Sequence, residues 1–410
     1  MTPRQARFRY LLLVALRWFP VGLEMPILML LPLDRGLTVA EAGLAASFQG
    51  FVVLALELPT GGLSDSWGRR PVLAVSAAVS LALFAVADSF AMFAAVYVLQ
   101  GIFRALDSGP LEAWFVDATL ADDPNAKIER GLSAGSTVVG VAIGSGALLA
   151  GVIIAWVEVP GVPTLAVPVW LGLFVQLIGL AAIMLLVHEP PHPSGRRRLL
   201  ASVKNVPRVI AEGAGLVRRS RVLLALVGVE LFLGFAMVTF EVLIKVRLAE
   251  QLGGVEQAAA ISGPAGTVAW LVFAAGSALV PLLHKRMGVA MTGVMLPVAQ
   301  GVAVLGMGLL AGPVGALAGY LGACAVHGAT TPTYVTLLNR EVTSAHRSTV
   351  MSMASMAGQP AGSIGLIVLT ALASSVSTSF AIVVGAVVLM VSAPLYLPAV
   401  RAERRKSVSV

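Results

Sequence analysis

Charge and cysteine are both scarce in this chain, and each scarcity excludes a class of protein. Charged residues fill 12% of the 410 positions, about half the share of an ordinary soluble domain, whereas 58% are hydrophobic and mean hydropathy is +0.90. Such a balance defines a polytopic membrane protein. The one cysteine, Cys324, leaves no partner for an internal disulfide and no cysteine cage for a metal. The sequence also lacks a Gly-rich phosphate loop ending in Lys-Ser/Thr, a nucleophile elbow and a cluster of metal ligands. These gaps argue against an enzyme, a resident cofactor and a nucleotide-driven pump in this chain.

What is present is long apolar runs. A helix needs about 20 apolar residues to cross the hydrocarbon layer. On that ruler there are twelve segments, near 10–32, 40–63, 71–87, 90–118, 131–157, 165–187, 222–246, 260–283, 289–311, 313–338, 349–373 and 377–399. The 42 glycines and 23 prolines do not weaken this reading, because in lipid small residues permit close helix packing and neighbouring helices satisfy backbone groups that proline frees. Arg4, Arg7 and Arg9 precede a run long enough to span, with no convincing cleavage site after it, so that run is taken as the first span.

Alternating the sides of the membrane with the N terminus inside places 23 of the 28 basic residues on the cytoplasmic side. Only Arg35, Lys245 and Arg247 fall outside, and Arg17 and Arg104 remain within the membrane. This asymmetry predicts that both termini are cytoplasmic and accounts for the net charge of +7 without nucleic acid. The longest polar stretch, 188–221, is basic and divides the chain into an N-terminal bundle at 1–187 and a C-terminal bundle at 222–410 with a short basic tail. A weak repeat offset by 220 residues supports the halving, laying Leu63 and Gly68 on Leu283 and Gly288. The second copy of that turn lacks the Asp and the first Gly, and is expected to be a plain connection.

The most specific stretch is Gly61-Gly62-Leu63-Ser64-Asp65-Ser66-Trp67-Gly68-Arg69-Arg70-Pro71-Val72-Leu73, a polar turn between two apolar runs. Glycines let the chain reverse within the headgroup layer, arginines meet water and anionic lipid, and Asp65 can pair with Arg69 four residues on if the segment is helical. Gly61, Asp65, Gly68, Arg69 and Leu73 fall at the spacing that joins helices 2 and 3 in the major facilitator superfamily, and the sequence resembles that superfamily. The resemblance implies two six-helix bundles, a central site at their interface and alternating access. It also implies a cytoplasmic gate, to which Gly61, Asp65, Gly68, Arg69, Arg70, Glu112 and Asp117 are assigned.

Ionisable groups at membrane depth are costly and face a cavity or a partner. Arg17 and Glu24 share a face of the first segment, and Arg104 and Asp107, three apart on the fourth, can touch. In the superfamily these helices line the cavity, and an arginine on helix 4 is typical, although the Asp107-Ser108-Gly109 continuation departs from the usual Gln-Gly. Arg17, Glu24, Arg104 and Asp107 form either a static neutral network or a proton-exchange site. Glu230 is a further candidate for cation recognition, whereas Glu241 is expected to pair with Lys245 at the surface. His327 is either a cavity group, with Thr330, Thr331 and Tyr334, or a structural histidine. Gly140, Gly144 and Gly151, and Gly358, Gly362 and Gly365, make small-residue faces for helix packing.

Together these features predict a proton-coupled exporter of a small amphipathic or cationic compound, similar to bacterial drug/proton exporters, monomeric and resident in a bacterial inner membrane. Ser145 after Gly144, where those exporters carry Gly-Pro, is a departure from their signature. The alternatives are a metabolite uptake symporter or uniporter, and a membrane scaffold or sensor without transport.

Overall fold

The computed structural model describes residues 2–63, 69–106, 110–123, 126–187, 213–342 and 347–408. Among these residues the chain is helical throughout, and the sole β pairing is an isolated bridge between Val159 and Val162. Among the described residues, eight helices are long and apolar enough to cross a membrane. The described residues of all twelve expected segments lie mostly on helix. This is an all-α polytopic architecture, as the resemblance to the superfamily predicts.

In chain order the helices are α1 (Pro3–Glu24), α2 (Leu30–Asp34), α3 (Val39–Leu63), α4 (Arg69–Val86), α5 (Phe90–Leu106), α6 (Pro110–Leu120), α7 (Ile128–Trp156) and α8 (Val167–Leu186). The second half holds α9 (Arg221–Val238), α10 (Ile244–Leu252), α11 (Val255–Ala278), α12 (Val280–Met287), α13 (Val289–Leu309), α14 (Gly312–Arg340), α15 (Arg347–Ser375), α16 (Thr378–Val391) and α17 (Leu397–Val408). Residues 213–219 of the expected linker are also helical.

Local chemistry sets several of these limits. Thr2 and Gln5 form a reciprocal capping box at the start of α1, and Ser220 and Ser377 accept from the backbone N–H of Leu223 and Phe380 at the starts of α9 and α16. Gly253, at φ 76°, ends α10 in the left-handed conformation that glycine adopts without a Cβ penalty. Pro264, Pro297, Pro332 and Pro360 lie inside helices that continue through them, as the membrane setting allows.

Several expected spans are not described as one continuous α-helix. The first breaks after Glu24 and restarts at Leu30. The fourth is described as α5 and α6, with 107–109 outside the described residues. The seventh is broken by a π-turn at Thr239–Leu243 before continuing as α10. The turn at 281–288, expected as a plain connection, is helical to Met287, and Gly288 at φ 81° redirects the chain into α13.

Contacts group the chain into two compact units. The first holds Met1–Gly36, Ala55–Lys204 and Val255–Thr267; the second holds Leu37–Leu54, Asn205–Gly254 and Val268–Val410. Within the first, Thr267 Oγ1 donates to the Gly144 carbonyl (2.8 Å), and a Cβ on Gly151 would sit 2.6 Å from the Ala260 carbonyl oxygen. Within the second, Ser374 Oγ accepts from Ala40 N (2.9 Å) and Ser363 Oγ donates to the Ser47 carbonyl (3.0 Å). Each unit therefore includes a short segment drawn from the other half of the sequence.

Candidate functional site

In the first unit the structure builds a site around the end of α1. Pro26 has no N–H to continue the helix, and the N–H groups of Ile27 and Leu28 both donate to the Glu24 carbonyl at 2.9 Å. The chain turns there, leaving the half-buried Glu24 side chain at the break. Gln100 Nε2 on α5 donates to Glu24 Oε2 (3.3 Å), and Tyr97, three residues before Gln100, donates its hydroxyl to the Leu28 carbonyl (2.7 Å). The carboxylate thus meets a neutral amide, and the turn that carries it is pinned by a phenol.

Glycine brings α7 against the same stretch of α1. A Cβ on Gly22 would fall 2.9 Å from Ile143 Cα, and one on Gly146 would fall 2.5 Å from the Phe19 carbonyl oxygen. Neither helix can carry a larger residue there without parting from the other.

Arg17 has a different set of neighbours from Glu24. Its guanidinium carbon lies 5.2 Å from the Trp18 ring centroid, a distance suited to a cation–π contact. Tyr10 lies within electrostatic reach of both Arg17 and Glu112, and its ring stacks on Phe115 with centroids 4.6 Å apart. Glu112 Oε2 is buried with no hydrogen-bond partner among the described residues. Arg104 is exposed in the last turn of α5. Asp107, its expected partner, lies outside the described residues.

The second unit has its own carboxylate, Glu230 on α9, placed beside α15 where that helix has no side chain. A Cβ on Gly358 would lie 3.3 Å from Glu230 Oε2. Tyr334 and Tyr396 are the charged group's aromatic neighbours, and the Tyr334 hydroxyl donates to the Leu226 carbonyl (3.2 Å), one turn before Glu230. Backbone contact again lies alongside: a Cβ on Gly365 would fall 2.5 Å from the Phe235 carbonyl oxygen, and one on Gly234 would collide with the Gly358 carbonyl.

His327 on α14 lies between Phe240, from the π-turn, and Phe273 of α11, with ring centroids 5.4 Å and 5.8 Å away. Its Nδ1 is buried without a hydrogen-bond partner among the described residues. Thr330 and Tyr334, expected as cavity-facing groups, are buried instead and bond to the main-chain carbonyls of Val326 and Leu226. The expected Glu241–Lys245 pairing takes the form of the Lys245 ammonium donating to the Glu241 main-chain carbonyl.

The Major Facilitator Superfamily profile matches residues 10–366. The chain belongs to the major facilitator superfamily. It is a membrane transporter and not an enzyme. No curated protein matches it. Among solved structures it is similar to the nucleoside transporter NupG, at 13% identity and a TM-score of 0.76 over 96% of this chain and 98% of that one. A bacterial homolog of the human lysosomal transporter Spinster, inward-facing and unoccupied, aligns at 15% identity and a TM-score of 0.73, covering 97% of each chain. An auto-inhibited peptide transporter of the POT family aligns at 14% identity and a TM-score of 0.74, also over 97% of each. These likenesses show the fold.

In this superfamily member the described residues hold part of the expected gate. Gly61 lies in the last turn of α3, and Arg69 and Arg70 open α4. Asp65 and Gly68 lie outside the described residues. Asp117 is exposed on α6. Gln100, Tyr97 and the two phenylalanines beside His327 are the site residues that sequence reasoning missed. Gln100 had a usable signal, since it precedes Arg104 by four residues and so shares its helix face.

Proposed function

We propose that this transporter exports a small amphipathic or cationic compound in exchange for protons by alternating access, with Glu24 as the carboxyl group that exchanges the proton. The observation that carries the reading is the Glu24 carboxylate held at a helix break by a neutral amide donor, Gln100. An intramembrane carboxylate is expensive, so a group so placed changes protonation as its surroundings close and open. Broken helices at membrane depth expose backbone groups for ligands, and both the first and seventh spans carry such a break. Glu230 serves as the cation-recognition group of the second unit, Arg17 and Arg104 tune the charge balance, and the Gly61–Asp117 set forms the gate. Both termini face the cytoplasm, the inner membrane of a bacterium is the setting, and the transporter works as a monomer.

Purified protein in proteoliposomes under an imposed pH gradient tests the reading. Adding a transported compound should drive protons opposite to the compound's movement, with the sign reversing when the gradient is reversed. Co-directional movement would identify an uptake symporter, flux without pH change a uniporter, and no flux for any compound a scaffold.

A further inference from the structure

The π-turn at Thr239–Leu243 inserts an extra residue into the helical phase of the seventh span, rotating the helix beyond it by about 100°. That turn presents Phe240 to α14, where it meets His327 at 56° between planes. Phe273 meets the same imidazole at 53°, and Trp270 packs edge-on against Phe273 with centroids 5.8 Å apart. The side carrying Phe273 is rigid, because α11 and α14 touch through glycine. A Cβ on Gly328 would lie 2.7 Å from the Phe273 carbonyl carbon, and one on Gly276 would lie 2.8 Å from that of Ala325.

Within this frame His327 Nδ1 is buried and has no hydrogen-bond partner among the described residues. Two hydroxyls of α14 are already committed, Thr330 to Val326 and Tyr334 to Leu226, whereas Thr331, four residues after His327, is exposed. Lys245 is committed to the Glu241 main chain. A histidine serving only to pack would have its nitrogens satisfied, since an unmade buried hydrogen bond is unfavourable. The geometry therefore combines a half-buried ring, Phe273, backed across the imidazole by the buried Phe240, with one unsatisfied polar atom, an arrangement suited to another ring in edge-to-face or offset contact.

We propose that Phe240, Phe273 and His327 form the subsite that recognises an aromatic or heteroaromatic ring of the transported compound, with His327 Nδ1 hydrogen-bonding a polar group on that ring. The proposal rests on the transport reading above and adds the substrate class. An aliphatic cation would leave the imidazole unsatisfied, so it is the poorer occupant.

The test is thermal stabilisation of purified transporter in detergent by matched compounds of equal charge and similar size, with and without a ring. Tryptamine, 1-methyltryptamine and octylamine form one such set, and adenosine with ribose a neutral one. Ring-bearing members should raise the melting temperature and ring-free members should not. In His327→Leu the apparent affinity should fall about tenfold, the loss of one hydrogen bond, while the unliganded protein melts at or above the wild-type temperature. His327→Gln, which keeps a hydrogen-bonding group, should retain part of the binding and guards against a folding defect in the leucine variant. Equal stabilisation by ring-free compounds, no stabilisation by any ring-bearing compound, wild-type affinity in His327→Leu, or unliganded melting of both variants well below wild type would overturn the proposal. The measurement needs no gradient, so failure of proton coupling would overturn only the earlier reading.

Discussion

The first helix of each half is held in the same way and broken in different ways. In the first half, α1 touches α7 backbone to backbone through Gly22 and Gly146, and Tyr97 of the fourth span caps the Leu28 carbonyl beside Glu24. In the second half, α9 touches α15 through Gly234 and Gly365, and Tyr334 of the corresponding span caps the Leu226 carbonyl beside Glu230. Carboxylate, glycine contact and tyrosine therefore recur as a set. The order differs: the capped carbonyl follows the carboxylate by four residues in one half and precedes it by four in the other. Consequently Tyr97 anchors the break itself, whereas Tyr334 anchors intact helix below a π-turn. The repeat keeps the clamp and moves the opening, which leaves Glu24 at an interrupted helix end and Glu230 on a continuous one.

The glycine contacts should show the largest effects. Gly22→Ala and Gly234→Ala each force a methyl group into a neighbouring backbone, and each should cost about 1–3 kcal/mol, read as a lower melting temperature of the purified protein. A large loss for one and none for the other would break the equivalence of the two clamps.

The tyrosines come next. Tyr97→Phe and Tyr334→Phe each remove a hydrogen bond to a main-chain carbonyl, of 2.7 Å and 3.2 Å, and should destabilise by about 1 kcal/mol, Tyr334→Phe also losing the hydroxyl's contact with the Glu230 side chain. They should differ in function, because only Tyr97 holds the turn after Glu24. Transport assays should find Tyr97→Phe impaired at a degree of destabilisation that Tyr334→Phe tolerates. Equal transport in the two variants would remove the distinction between the halves.

The smallest effect is expected at the end of α14, where Arg340 Nη1 pairs with Glu403 Oε1 of α17 at 2.7 Å. Arg340 is exposed and Glu403 half-buried, so Arg340→Ala should cost only about 0.2–1 kcal/mol and the loss should shrink in high salt. Glu403 also accepts from Ala290 N (3.0 Å) at the start of α13, so Glu403→Ala should cost more than Arg340→Ala in the same melting measurement.

Hydropathy was enough to find the eight helices that are long and apolar enough to span among the described residues, because a bilayer demands long apolar runs and little else looks like one. The Gly61–Leu73 turn carried the family because its spacing is unusual in any other setting. The glycine faces at 140–151 and 358–365 were legible as packing surfaces for the same reason, although Gly140 meets nothing within 4 Å and which helix each face meets is a tertiary fact. The break after Glu24 had a signal in Pro26 that the tolerance of membrane helices for proline obscured. The π-turn had none: Thr239-Phe240-Glu241-Val242-Leu243 contains neither glycine nor proline, and its position follows from packing. The aromatic surroundings of His327 depend on that turn and were hidden with it. Likewise, nothing in the sequence marks 37–54 and 255–267 as segments that join the other half, since their partners are fixed only by three-dimensional contact.

Glu24 is the centre of the proposed mechanism, and pH-gradient-driven transport by Glu24→Gln in proteoliposomes tests it most directly. The substitution keeps the shape and a hydrogen-bonding partner for Gln100 but removes titration. Gradient-driven movement of the compound should be abolished while exchange without a gradient persists, and Glu230→Gln should keep its coupling. Wild-type coupling in Glu24→Gln, in protein that melts normally, would contradict the assignment.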